Sequence, residues 1–113
     1  MQELVTLAPG ERKRRFRVEI IAGERITIDT GRKHNKASIS WAEYKKMVAF
    51  FRPKGFFPLG SHADPPKEGS MGEYFQKVLK KSPRYASHYA AIMVYLRDAK
   101  VVHERSIALR IIG

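Results

Sequence analysis

Two short runs of lysine and arginine in the N-terminal third of the sequence have the chemistry of phosphate binding. Guanidinium and ammonium groups attract a polyphosphate backbone, and their binding releases the counterions condensed on it. We therefore predict that the residues of these runs contact phosphate groups. The two runs are Arg12, Lys13, Arg14, Arg15 and Arg17, followed by Arg32, Lys33 and Lys36.

The charge of the whole chain agrees with such a partner. Its 113 residues include 22 lysines and arginines against 11 aspartates and glutamates, which gives a net charge of +11 and a pI near 10.2. A net charge of about 2–8 is enough to keep a small domain in solution. The excess favours nucleic acid, DNA or RNA, as the partner. An anionic membrane, an acidic protein, and a charge that serves solubility alone are the alternatives.

The sequence contains no complete catalytic or metal-binding pattern. It has no cysteine, and its four histidines are not spaced as metal ligands, so we predict no metal and no cofactor. The acidic residues are not arranged as in a metal-dependent nuclease, and glycine-rich phosphate loops and nucleophile motifs are missing. No catalytic residue is therefore predicted.

One enzymatic alternative stays open, because a metal-free endoribonuclease of the small toxin type needs only a basic pocket with a histidine or tyrosine. His34 lies beside Arg32 and Lys33, and His88 lies near Arg84 and Tyr85. Either imidazole could act as a general acid or base. This activity, and binding to RNA or the ribosome, are the rivals of DNA binding.

Alternating apolar residues predict strands at the start of the chain. Residues 16–20 and 25–30 alternate apolar and polar side chains, which is the period of a half-buried strand. The Ala22-Gly23 turn between them is short enough for an antiparallel hairpin. Residues 37–39 add a short third strand. The N-terminal part is therefore predicted to contain an antiparallel hairpin or small sheet.

A first helix is predicted after Ser40. Ser40 and Glu43 have the spacing of a capping box, in which the two side chains satisfy each other's free backbone amides. Residues 53–69 are rich in proline and glycine and predict a connector without long regular structure. This connector subdivides the single predicted domain into residues 1–52 and residues 70–113.

Two helices and a hairpin are predicted for the C-terminal part. Ser70 and Glu73 repeat the capping-box spacing, and a third helix over residues 83–98 has the cleanest helical periodicity of the chain. Two short strands, residues 101–102 and 107–112, follow it. The predicted fold class is α+β, with an N-terminal antiparallel hairpin or small sheet, three helices and a C-terminal β-hairpin.

The order helix, short turn, longer helix, strand, tight loop, strand over residues 70–112 resembles the second half of a winged-helix DNA-binding domain. Residues 41–51 would supply the first helix of that family. The resemblance implies that residues 83–98 enter the DNA major groove, with Ala91 and Tyr95 on the polar face, and that the hairpin touches the backbone. The residues that it implies for nucleic-acid contact are Lys77, Lys80, Lys81, Arg84, Ser87, His88 and Arg105.

A second stretch, residues 16–51, is similar to the single-strand-binding transcriptional coactivators. The shared features are a strand, a short turn, a second strand, the basic loop Gly31-Arg32-Lys33 and an aromatic-rich helix. Those proteins hold unpaired strands on curved sheets with basic loops and aromatic side chains. The resemblance keeps single-stranded nucleic acid open as a ligand.

Neither end of the sequence predicts a membrane segment or an export signal. No apolar run approaches the ~18 residues of a membrane span, and residues 1–5 lack the basic-then-apolar order of a signal peptide. We therefore expect a cytoplasmic protein without a membrane partner. The sequence leaves the oligomeric state open, and a homodimer through Phe56, Phe57 and residues 111–112 is compatible with it.

Overall fold

The chain folds into two antiparallel sheets and three helices, which is the predicted α+β class. The computed structural model describes residues 2–7, 13–31, 36–61, 65–103 and 107–112. The elements are β1 (Gln2–Val5), β2 (Arg15–Ile21), β3 (Arg25–Asp29), β4 (Lys36–Ser40), α1 (Trp41–Phe51), β5 (Phe56–Pro58), α2 (Met71–Lys77), α3 (Ala86–Tyr95), β6 (Ala99–His103) and β7 (Ala108–Ile111). Short 3-10 turns precede β5 (Arg52–Lys54) and α3 (Pro83–Tyr85).

The first four strands form one sheet in sequence order, β1-β2-β3-β4. The predicted hairpin is confirmed, since Val18 pairs with Ile28 and both point into the core. The third strand is also confirmed, as β4. β1 was not predicted, because four residues with two polar side chains show no period. It is an edge strand whose Leu4 lies opposite Phe16.

The predicted capping box is present at the start of α1. The Ser40 hydroxyl accepts a hydrogen bond from the Glu43 amide at 3.0 Å, and the Glu43 carboxylate accepts one from the Ser40 amide at 2.8 Å. The helix ends at Phe51, one residue before the 3-10 turn that contains Pro53. Its buried face comprises Tyr44, Met47, Val48 and Phe51.

The connector contains β5, only three residues long, and a close approach of two glycines. The Gly72 amide donates a hydrogen bond to the Leu59 carbonyl at 2.9 Å. A Cβ atom on Gly72 would lie 2.0 Å from the Gly60 carbonyl oxygen. Gly72, a weak helix former in the first turn of α2, is therefore explained by the backbone that lies against it.

The third helix is shorter than predicted. Residues 83–85 form a 3-10 turn, and α3 ends at Tyr95 because Arg97 adopts the left-handed conformation with φ of 62°. The amides of Arg97 and Asp98 donate to the carbonyls of Val94 and Met93, the hydrogen-bond pattern of a Schellman motif. Glycine is the usual residue at this position, so the sequence carried no sign of this helix end.

One hydrophobic core joins both parts of the chain, with buried residues from the first sheet, all three helices and the second sheet. Tyr89 of α3 shows the junction: its hydroxyl lies 3.1 Å from the Ile26 carbonyl and 3.2 Å from the Ala37 carbonyl of the first sheet. The second sheet has the order β5-β7-β6, and the predicted C-terminal hairpin is its β6-β7 pair.

Candidate nucleic-acid interface

The first described basic cluster lies where β2 begins. Lys13, Arg14 and Arg15 are exposed, and the backbone of Arg14 is held by two hydrogen bonds to Thr6, of 2.8 and 2.9 Å. These bonds continue the β1-β2 pairing by one residue. The next residue, Leu7, donates its amide to the Ser87 carbonyl of α3 at 3.2 Å. The cluster is thereby fixed beside the first turn of α3.

The second cluster lies on the connection from α2 to α3. Lys80 and Arg84 are exposed and Lys81 is half-buried, with Lys80 in the left-handed conformation. Lys77 contacts Glu73 at 3.3 Å. A hydrogen bond from the Gly69 amide lowers the pKa of the Glu73 carboxyl, so this partner of Lys77 stays ionised. Lys77 is therefore partly neutralised, and the other three cations are not in a described ion pair.

Both clusters adjoin the N-terminal end of α3, since residues next to the first contact α3 and the second immediately precedes the helix. Besides the hydrogen bond between Leu7 and Ser87, the rings of Phe16 and His88 are in edge contact, with centroids 4.9 Å apart. We call the resulting surface the α3-end surface. It consists of Lys13, Arg14, Lys80, Lys81 and Arg84. Arg15 is not part of it, because Phe16 faces α3 and strand alternation therefore places Arg15 on the opposite face, where it forms an ion pair with Glu3 at 3.8 Å.

Arg17 and Lys36 lie elsewhere, on the solvent face of the first sheet. The strand register places Glu3, Arg17, Asp29 and Lys36 side by side across the four strands. Positive and negative side chains therefore alternate along this row, and opposite charges on neighbouring strands attract each other. Both residues were predicted to contact phosphate, and both have carboxylates as cross-strand neighbours.

The polar face predicted for the third helix is not present, because α3 is covered on most sides. Ser87 is 5% exposed and Ala91 is 7% exposed, so the prediction that they face solvent is wrong. The sequence pattern showed one apolar stripe, but residues outside it are also buried, and at Ser87 the helix carbonyl accepts a hydrogen bond from Leu7. Ser87 donates its hydroxyl to the Arg84 carbonyl at 3.0 Å, a bond within the protein. Tyr95, at the far end, is 47% exposed.

His88 lies between two aromatic rings. Its imidazole contacts Phe16 and, with centroids 5.9 Å apart, Tyr85. Burial lowers the pKa of His88, and a hydrogen bond with the backbone of Arg84 acts in the opposite direction. The ring is therefore neutral near pH 7 and packs as part of the junction between α3 and the first sheet.

Four predicted contact residues lie outside the described residues, as does one candidate catalytic residue. These are Arg12, Arg32, Lys33, Arg105 and His34.

The sequence analysis missed a second group of cations, on the exposed face of the second sheet. Lys100 and Arg110 are directly opposite each other on β6 and β7, and Phe56 is opposite Arg110 on β5. Arg110 lies between the buried residues Leu109 and Ile111, so its exposure could have been predicted. The position of Phe56 beside it could not, because β5 and β7 are far apart in sequence.

Among the residues that the structure describes, no group of three histidine, aspartate or glutamate side chains is placed to hold a metal ion. Within the same residues, every helix is too short or too polar to cross a membrane. Comparison with protein-family models, with curated proteins and with solved structures finds no match to this chain.

Proposed function

We propose that this protein binds nucleic acid, with duplex DNA preferred over RNA, by neutralising backbone phosphates at the α3-end surface. The observation that carries the proposal is that two basic clusters, distant in sequence, both adjoin the first turn of α3. Four of the five cations of this surface are exposed and one, Lys81, is half-buried. A surface that combines several cations raises the local concentration of a polyanion and binds it in a salt-dependent manner.

The preference for DNA rests on the winged-helix resemblance. The order α1, α2, α3 and a β6-β7 hairpin around one core supports it. The burial of α3 changes the expected mode of binding, because a helix with Ser87 and Ala91 in the core has few side chains left for base edges. We therefore propose phosphate contacts without groove reading, and we expect weak sequence preference.

The test is a salt titration of binding to duplex DNA, single-stranded DNA and RNA, measured by fluorescence anisotropy. The double variant Lys81→Gln, Arg84→Gln should bind duplex DNA more weakly. The slope of log affinity against log salt should become less steep by about two, because each lost phosphate contact removes about 0.9 from it. The loss should be equal for unrelated DNA sequences, since no base contact is removed.

The matched control is Arg25→Gln, Lys46→Gln, which removes the same two charges from exposed positions elsewhere. Arg25 on β3 is paired with Ile21, which lies six residues after Arg15 on β2. Arg25 is therefore ~20 Å from Arg15. Equal weakening by both pairs would show that net charge alone drives binding, and would overturn the proposal. Tighter binding of RNA than of duplex DNA would replace DNA by RNA as the ligand.

The endoribonuclease alternative is checked in the same preparation. RNA is incubated with the protein in EDTA, and cleavage is followed on a gel. We expect intact RNA, because the His88 ring is packed between Phe16 and Tyr85. Cleavage that disappears in His34→Ala or in His88→Ala would replace binding by catalysis as the function.

A further inference from the structure

The exposed face of the second sheet carries a row of one aromatic and two basic side chains. The register places Phe56 on β5 opposite Arg110 on β7, and Arg110 opposite Lys100 on β6. The next pair along these strands, Phe57 and Leu109, is buried on the other side of the sheet, so the row faces solvent. With strands about 4.8 Å apart, the three side chains span ~10 Å. Phe56 is 63% exposed.

An open depression of about 790 Å³ adjoins this row. Its basic residues are Arg52, Lys100 and Arg110, and its apolar residues include Pro53, Ile111 and Ile112. None of the residues that line it is acidic.

A fourth cation lies on the same 3-10 turn as Arg52. The Lys54 ammonium lies 4.6 Å from the centre of the Phe50 ring, and Phe50 is 45% exposed. Exposed cations, exposed aromatic rings and an acid-free depression thus occur together. We name this group the second-sheet patch; it consists of Arg52, Lys54, Phe56, Lys100 and Arg110.

The charge of the second-sheet patch determines what it can bind. An anionic partner would neutralise four cations that have no described ion pair. A second copy of the chain, docked on the same patch by two-fold symmetry, would bring eight cations together. Like charges across an interface cost several kcal/mol, so the apolar residues of the patch do not favour a homodimer.

The exposed aromatic side chains favour single strands among the anionic partners. In a duplex the faces of the bases are stacked on one another and are not available to a protein ring. A single strand offers both its phosphates and its base faces. Proteins that bind single strands without sequence preference combine basic grooves with aromatic rings on which bases stack.

We propose that the second-sheet patch is a binding site for single-stranded nucleic acid, separate from the α3-end surface. Arg52, Lys100 and Arg110 bind phosphates at the depression, and a base stacks on the Phe56 ring. The site binds DNA and RNA strands alike, because the phosphates and the base faces that it contacts are common to both.

The experiment measures binding of a fluorescent oligothymidylate and an oligouridylate of about ten nucleotides, a length within the usual range of such sites. Phe56→Ala should weaken binding of both strands by roughly five- to 150-fold, the effect of losing one stacked base. Arg110→Gln should make the salt slope less steep by about 0.7, the value for one phosphate contact of a single strand. Both residues are exposed, so the variants should fold, which thermal melting verifies.

The matched control for Arg110→Gln is Arg25→Gln, an exposed arginine on the other sheet. Lys81→Gln, Arg84→Gln is measured in parallel, so that each surface can fail independently. Undiminished binding by Phe56→Ala, or equal effects of the two arginine variants, would overturn the second site. A concentration-dependent dimer that Phe56→Ala disrupts would identify a second copy as the occupant, and would also overturn it.

Discussion

Across its exposed face the first sheet carries the row Glu3, Arg17, Asp29 and Lys36, whereas the second sheet carries Phe56, Arg110 and Lys100. Both sheets are antiparallel, and both bury one face in the same core. The first row alternates in sign and has no excess charge. The second has two cations and no carboxylate, so only the second retains a local charge that can attract a polyanion.

The comparison shows that the number of cations in a region is a poor guide to its local net charge. The N-terminal third holds the densest runs of lysine and arginine, yet Arg17 and Lys36 have acidic cross-strand neighbours. Lys100 and Arg110 are isolated in sequence, yet register makes them adjacent. Field strength depends on the sum of neighbouring charges, and neighbours in a sheet belong to different strands.

The largest effect is expected from Gly72→Ala, which should displace β5 and so remove Phe56 from the row on the second sheet. Alanine is the better helix former by about 1 kcal/mol, so in open surroundings this change would stabilise α2. Here its Cβ would lie 2.0 Å from the Gly60 carbonyl oxygen. We expect a net loss of about 1–3 kcal/mol, the usual cost of overpacking.

Urea unfolding measures this loss, and oligothymidylate binding should fall with it because Phe56 lies on the displaced strand. Gly23→Ala is a useful control, since its positive φ is strained but its surroundings are open. It should cost stability without reducing oligothymidylate binding. A Gly72→Ala protein more stable than the parent would contradict the assigned contact.

A smaller effect is expected from Glu3→Gln, Asp29→Asn, which removes both carboxylates from the first row and makes it resemble the second. The asparagine can still accept the hydrogen bond that Asp29 receives from the Gly31 amide. Freed of their acidic neighbours, Arg17 and Lys36 should contact phosphate, and Arg15 loses its ion pair with Glu3 as well. The salt slope for oligothymidylate should therefore become steeper by at least about 1.4, the value for two phosphate contacts.

Glu24→Gln, Glu68→Gln raises the net charge equally at exposed positions outside the row. A steeper slope in both pairs would mean that overall charge, and not the alternating row, sets the affinity. The difference in charge between the two rows would then not explain which sheet binds a strand.

The smallest effect is a pH dependence of stability that arises in the junction of α3 with the first sheet. Burial lowers the pKa of His88, so below about pH 6.5, the ordinary value, the unfolded chain binds a proton that the folded protein does not. Stability contributed by neutral His88 is therefore present above about pH 6.5. It declines as the pH falls from there toward the lowered pKa.

Urea unfolding across this pH range should give a flatter profile for His88→Phe, which preserves an aromatic ring between Phe16 and Tyr85. Because the other ionisable groups titrate equally in both proteins, the difference between the two profiles reports His88. Identical profiles would mean that the imidazole is protonated equally in the folded and unfolded states.

Local patterns in the sequence determined a large part of the fold. The alternation of residues 16–20 and 25–30, the capping box of Ser40 and Glu43, and the net charge of +11 are properties of neighbouring residues or of composition. Periodicity and capping involve partners within about four positions along the chain. The α+β class and the three helices followed from them directly.

Tertiary structure alone decided where the charges meet and which surfaces remain open. Packing buries Ser87 and Ala91 in a helix whose own pattern indicated a polar side. The pairing of β5 with β7 brings Phe56 beside Arg110, and the contact of Leu7 with Ser87 holds the segment after β1 against the start of α3. Each of these contacts joins segments far apart in the chain, and no local periodicity encodes them.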